Sequence, residues 1–207
     1  MPAAPPWTVA DLAGAPRWDL EATLRLDGRV RGDLLGPWAD NLARRFGDAA
    51  EARVRRRLPA ALATLPARLT SADWAPVAAQ LVLTEAIADE LLAGDLAGLG
   101  PLIIDDARRG VGRAQRVLAY AMGPARLIGM APRWWDETYQ RGQVEVRTSR
   151  GDRLARLQFR GHPVLAHPTW RWLQLVAQRA ALALTGQAGD AVGFDLDGGG
   201  VAIEVRW

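Results

Sequence analysis

The chain has 207 residues, no cysteine and no lysine, and its 26 basic residues, all arginine, leave a formal charge of only +3. That excludes disulfides, thiolate chemistry, cysteine-bound zinc or iron–sulfur centres, Schiff-base chemistry and a phosphate-loop lysine. A hydrophobic share of 49% and a charged share of 24% are those of a soluble globular protein, and no apolar run is long enough to span a membrane.

The opening Met1-Pro2-Ala3-Ala4-Pro5-Pro6 lacks the basic and apolar regions of an export signal, so a cytoplasmic protein is expected. Residues 1–18 are rich in Pro and Ala and read as an irregular lead-in that packs only through Trp7 and Trp18. From residue 19 a single α+β domain is expected, helical over 29–141 and sheet-forming over 143–207. Leu20, Ala22, Leu24 and Leu26 alternate before Asp27-Gly28, which suits a short strand and turn. Residues 30–46 read as a helix with Leu34, Leu35, Trp38, Leu42 and Phe46 on its apolar side, interruptible at Gly36-Pro37. Asp48 can cap the next helix, 49–58. After a break at Thr70-Ser71, residues 74–92 form the longest apolar block and predict a helix buried on most sides. Gly94, Gly98, Gly100 and Pro101 mark a link to a helix over 102–122, whose inward row includes Ile103, Ala107, Val117 and Leu118. Gly123-Pro124 starts the last helix before the sheet, with Pro132 as a kink.

The final third shows period-two alternation on both sides of one amphipathic helix. Val144, Val146 and Thr148 share a face with Ala155, Leu157 and Phe159 across a turn at Arg150-Gly151-Asp152. In the closing pair, Val192, Phe194 and Leu196 are expected to face inward with Val201, Ile203 and Val205, across Asp197-Gly198-Gly199-Gly200, leaving Asp195, Glu204 and Arg206 wet. Between the hairpins, residues 166–185 place Trp170, Leu173, Val176, Ala177, Ala180 and Leu184 on one side, with Gly186 as the stop. The fold class is therefore α+β: a helical layer packed on an antiparallel four-stranded sheet in the order hairpin, helix, hairpin.

No catalytic motif stands out, and the protein is not expected to be an enzyme. The only serines, Ser71 and Ser149, lie outside any nucleophile-elbow context. His162 and His167, the only histidines, are the sole imidazole candidates for metal binding, but a site needs three or four ligands, and His167 before Pro168 equally suits a helix cap. No metal or other cofactor is expected. Arg53, Arg55, Arg56 and Arg57, with Arg44-Arg45 and Arg108-Arg109, form a basic run interleaved with Asp48, Glu51, Asp105 and Asp106. It reads as a solvated face, so a nucleic-acid partner is not expected. Trp134, Trp135 and Tyr139 before the sheet, Phe159 within it and Trp170 after it are the candidate walls of an apolar ligand pocket. Trp134 and Trp135 point about 100° apart on a helix, so one of them either lines a cavity or an oligomer interface or fills a second seam of the core.

The segments Ala131-Pro132-Arg133-Trp134-Trp135-Asp136-Glu137-Thr138-Tyr139, Gly142-Gln143-Val144-Glu145-Val146, Leu157-Gln158-Phe159-Arg160-Gly161 and Val201-Ala202-Ile203-Glu204-Val205-Arg206-Trp207, in this order, give the chain a resemblance to a paralogous family of uncharacterised myxobacterial proteins. More distantly it resembles the superfamily of the four-vinyl-reductase-type domain, the TRAPP tethering subunits and the haem nitric-oxide-binding domain. The resemblance implies helices on an antiparallel sheet, a homodimer and an apolar ligand pocket between the layers. Asp190-Ala191-Val192-Gly193-Phe194 stands where the four-vinyl-reductase-type domain has its cysteines, and neither histidine occupies a helical haem-ligand context. A regulatory or sensory domain with a small apolar ligand is the expected function; the alternative is an interaction or dimerisation module with no ligand.

Overall fold

The computed structural model describes residues 5–35, 38–63, 69–70, 72–149 and 151–207. The start of the lead-in, the Gly36-Pro37 interruption, Ser71 and the turn residue Arg150 lie outside the described residues.

The lead-in is more ordered than its composition implies. Its helix α1 (Val9–Ala13) is closed by a reciprocal capping box between Thr8 and Asp11. Residues 20–26, expected as strand and turn, instead form α2 (Leu20–Leu24), because Asp19 accepts the Ala22 N–H at 2.7 Å and the turn buries Thr23 beneath it. A side-chain cap of this kind outweighs a short alternating pattern. Helix formation is also delayed at residue 30. There β1 (Arg29–Arg31) precedes α3 (Gly32–Leu35), α4 (Trp38–Phe46), α5 (Ala49–Arg57) and α6 (Ala60–Ala63).

The apolar block opens extended as β2 (Trp74–Pro76), which pairs antiparallel with β1, since Pro76 disfavours helical backbone at Ala75. It then becomes α7 (Val77–Leu91), buried on most sides as expected. Of the glycines placed in a link, Gly94 lies in the turn after α7, whereas Gly98 and Gly100 belong to α8 (Leu96–Gly110). Gly100 lies under the next layer, where a Cβ would stand 3.5 Å from the Trp172 ring. The chain breaks at Val111-Gly112, and α9 (Arg113–Gly129) bends at Gly123, whose φ is +70°. Val117 and Leu118, expected inward, are 64% and 58% exposed. Among residues 113–122 only Ala119 is buried, so this half-helix touches the body along a narrow stripe. In α10 (Ala131–Thr138) Pro132 sits at the helix start, where its missing N–H is harmless, and not at a kink.

The sheet follows the alternation. Within the order β3-β4-β6-β5, β3 (Gln143–Ser149) sets Val144 opposite Phe159 and Val146 opposite Leu157 of β4 (Leu154–Arg160). A 3₁₀ turn (Pro163–Ala166) leads into α11 (Pro168–Leu184), which lies across the apolar face of the sheet. Trp170, Trp172, Leu175, Val176 and Leu182 of α11 are all buried, whereas Ala177 is exposed. The helix is covered on two sides, by the sheet and by α8, and so has no single inward stripe.

The closing strands, β5 (Asp190–Leu196) and β6 (Gly200–Arg206), correct one expectation. Ala191 and Gly193 of β5 stand opposite Val205 and Ile203 on the inner face, so Val192, Phe194 and Leu196 point to the outer face. The inner row of β5 is nearly empty because Trp7 fills it. Trp7 exchanges two backbone hydrogen bonds with Gly193, each 2.9 Å, and lays its indole over the glycine. A Cβ on Gly193 would fall 2.0 Å from that ring. Arg171 stacks on the same indole and pairs with Asp195 at 2.7 Å, so Asp195 serves the helix side. Gly193→Leu is therefore expected to expel Trp7, cost about 1–3 kcal/mol of stability and speed tryptic cleavage at Arg17. Unchanged cleavage would contradict this packing.

Candidate functional site

Four of the five expected pocket residues come together. Trp135 stacks on Tyr139 with ring centroids 4.3 Å apart and meets Phe159 at 5.5 Å and Trp170 at 6.0 Å. Each is less than 7% exposed, and they pack directly on one another. Trp134, on another face of α10, is 39% exposed and does not join them. Polar tips inside this cluster are paired. Trp135 Nε1 donates to the Arg141 carbonyl at 2.9 Å, Trp170 Nε1 to the Tyr139 oxygen at 3.1 Å, and Tyr139 in turn to Gln80 Oε1 at 2.9 Å. Burial pushes the Tyr139 phenol up to about 12, so it remains a proton donor.

Gln80 carries this chain of hydrogen bonds out of the cluster and into open space. It belongs to the wall of a cleft of about 420 Å³ enclosed by three helices, a volume within the usual range for a small-molecule site. From α4 come Trp38, Asn41, Leu42, Arg45 and Phe46; from α7, Gln80, Leu83, Thr84 and Ile87; from α8, Leu99, Leu102, Ile103, Asp106 and Ala107. Each set recurs at three- and four-residue intervals, so each is one face of its helix. Leu173 of α11 contributes to the floor.

The mouth is charged but locally balanced. Arg45 donates to the Leu102 carbonyl at 3.1 Å, Asp105 at 2.5 Å and Asp106 at 2.7 Å, and Arg44 also bonds Asp106. Paired in this way, Arg45 ties α4 to α8. Its neighbours in the basic run are likewise engaged: Arg53 and Arg57 both reach Glu90 at 3.0 Å, and Arg55 reaches Glu51 at 2.8 Å. These ion pairs leave little net positive field for a polyanion.

The histidines are structural by geometry. His162 Nδ1 accepts the Val164 N–H at 3.0 Å, and its Nε2 is buried against Gly28 with no hydrogen-bond partner among the described residues. His167, fully buried, accepts the Thr169 N–H at 3.2 Å through Nδ1, and its Nε2 lies 3.1 Å from Thr23 Oγ1. His167 thus caps α11 and ties α2 to it. No cluster of three or more His, Asp or Glu suited to a metal occurs among the described residues.

An Fe(II) unliganded H-NOX protein from K. algicida, known from a crystal structure, is similar in fold, with a TM-score of 0.56 over 85% of this chain and 95% of that one. The fold is H-NOX-like. Sequence identity is 9%, and neither a family model nor a curated protein sequence matches the chain. The iron named for that relative prompts a test of whether this H-NOX-like chain has donors for iron or haem. Among the described residues the cleft offers none: no His, Met, Cys or Tyr lines it and its one carboxylate, Asp106, is held by two arginines, while outside it each histidine accepts a backbone N–H at Nδ1, which in the neutral ring leaves the proton and not a lone pair on Nε2. Titration with haemin is expected to give no saturable one-to-one absorption change, and a stoichiometric band lost in His162→Ala would overturn that reading.

Sequence reasoning missed the cleft. Leu34, Leu35, Trp38, Leu42, Phe46, Ile103 and Ala107 were all recognisable as inward-facing, but an apolar face does not reveal whether it meets another side chain or a gap. The signal within reach was Gln80 and Thr84, polar residues one turn apart in the first half of α7, which is otherwise apolar from Val77 to Leu83.

Proposed function

We propose that this chain is a non-enzymatic sensory or regulatory domain of the cytoplasm that binds a small apolar ligand in the cleft between α4, α7 and α8. The observation that carries the reading is an open, largely apolar cleft from whose wall one chain of hydrogen bonds runs inward, from Gln80 through Tyr139 to Trp170. On this reading Trp135, Tyr139, Phe159 and Trp170 form the layer behind the ligand, through which occupancy reaches the sheet. The cleft wall offers no nucleophile beside a base, which supports binding over turnover. No described helix is long and apolar enough to cross a membrane. The reading also extends the resemblance to the myxobacterial paralogous family, on the strength of the segments around Trp134-Trp135 and at the chain's end.

Native mass spectrometry of the purified protein is expected to show a retained small molecule that Ala107→Phe, which fills the cleft, no longer carries. An empty wild-type protein that also fails to bind any member of a hydrophobic metabolite mixture would sink the proposal.

The interaction-module reading has one observation in its favour. Val117, Leu118 and Tyr120 on the outer face of α9 are 64%, 58% and 69% exposed. Apolar groups gathered on one half-helix suit a homodimer contact. Light scattering should then report a dimer that Val117→Glu with Leu118→Glu converts to a monomer; a wild-type monomer at high concentration would dismiss it.

A further inference from the structure

The hydrogen-bond chain fixes which end of the Gln80 amide faces the ligand. An indole N–H can only donate, so at 3.1 Å from Trp170 Nε1 the Tyr139 oxygen must accept. The Tyr139 proton is then free for Gln80 Oε1, 2.9 Å away, and the amide nitrogen Nε2 is left on the other side. Gln80 is 8% exposed, and no acceptor reaches its Nε2 among the described residues. Among the described residues the side-chain polar atoms both sealed from solvent and unpaired are Trp7 Nε1, His162 Nε2 and Trp172 Nε1; Gln80 Nε2, also unpaired, is not one of them and so reaches open space. With Gln80 in the cleft wall, Nε2 is an N–H donor aimed at the cleft.

The rest of the wall narrows the chemistry further. Thr84, one turn along α7, donates its own proton to the Gln80 carbonyl at 2.7 Å and so adds no competing donor. Leu42, Leu83, Ile87 and Ile103 surround these two groups with hydrocarbon. Arg45, the one cation in the wall, is already held by Asp105, Asp106 and the Leu102 carbonyl. An anionic ligand would give up its hydration and meet the Asp106 carboxylate, and a cationic one would face an arginine with no free acid beside it.

Resting on the reading of the cleft as a ligand site, we propose that its occupant is an uncharged, mostly apolar molecule bearing one hydrogen-bond acceptor of carbonyl type, seated on Gln80 Nε2. A buried donor left unpaired is costly, so the cleft discriminates in favour of the acceptor and not merely for size.

Three probes of similar shape test this: benzophenone, its carbonyl-free analogue diphenylmethane, and the anion diphenylacetate, each titrated calorimetrically into the full chain. Benzophenone is expected to bind about tenfold more tightly than diphenylmethane, and diphenylacetate most weakly. In Gln80→Met the gap between the first two should close while diphenylmethane still binds. The wild type gives a second readout, because the Gln80 side-chain amide resonances should move on adding the ketone and stay put with the hydrocarbon. Equal affinity of ketone and hydrocarbon, strongest binding by the anion, or a ketone preference that survives in Gln80→Met overturns this inference and leaves the cleft reading intact. Binding of none of the three overturns the cleft reading and this inference with it.

Discussion

Trp170→Ala is expected to destabilise the fold by about 3–5 kcal/mol, the usual cost of emptying a large aromatic site in a core. Trp170 is fully buried, sits edge-on to Trp135 and Phe159 at 6.0 and 5.4 Å, and donates to Tyr139. Its removal leaves a hole at the junction of α11, α10 and β4 and takes a donor from a phenol that burial already isolates. A loss of that size is a large part of a typical domain's total stability. Trp170→Phe should therefore be measured alongside: it keeps most of the apolar volume, loses the N–H, and is expected to cost about 1–2 kcal/mol. Urea unfolding followed by circular dichroism reads both. A cost under about 1 kcal/mol for the alanine variant would mean that the cluster is not packed as described.

Acidification should remove about 3 kcal/mol of stability through His167 alone. Burial pushes its imidazole from the ordinary 6.5 down to about 4. In the folded state the ring therefore stays neutral until the pH is well below the point at which the unfolded chain takes up its proton. Between about pH 6.5 and 4 the unfolded state binds more protons, so stability is fully present above that window and is lost as the pH falls through it. His162 adds to the same trend, since burial and then the nearby Arg141 charge push it down too. Glu85 works in the opposite sense. Burial raises its carboxyl despite the hydrogen bond from Thr169, beside His167, so it favours the fold at low pH. The comparison with His167→Asn isolates the histidine. Asparagine can still accept the Thr169 N–H as a helix cap, so this variant should lose some stability at pH 7.5 but show a flatter decline towards pH 4.5. An acid decline as steep as the wild type's would assign the effect to other groups.

Much of the fold was legible because its elements announce themselves through local periodicity. Val144 to Thr148 and Ala155 to Phe159 alternate so regularly that their shared face could be read off, and in the structure Val144, Val146 and Thr148 stand opposite Phe159, Leu157 and Ala155. The last hairpin was placed correctly in sequence, but β5 was turned over. Val192, Phe194 and Leu196 are more apolar than Ala191 and Gly193, and only the distant Trp7 makes the emptier row the buried one. Long-range filling of this kind leaves no trace in a window of seven residues. The same limit applies to Gly100, which reads as a link and is in fact a notch for Trp172. At the candidate site, the aromatic residues were found because they are large and clustered. The cleft was missed because an absence of packing depends on how three separate helices are spaced.

The pairing of Trp7 with Gly193 has one further consequence. In an open four-stranded sheet the two outer strands expose unpaired backbone groups that can recruit the strands of other molecules. β3 guards its side with charge, through Glu145 and Arg147, whereas β5 has Val192, Phe194 and Leu196 on its outer face. On the β5 side the guard is the amino-terminal tail itself, hydrogen-bonded to the middle of the strand. Shortening the tail past Trp7 should thus leave a folded molecule that self-associates and precipitates more readily as its concentration rises.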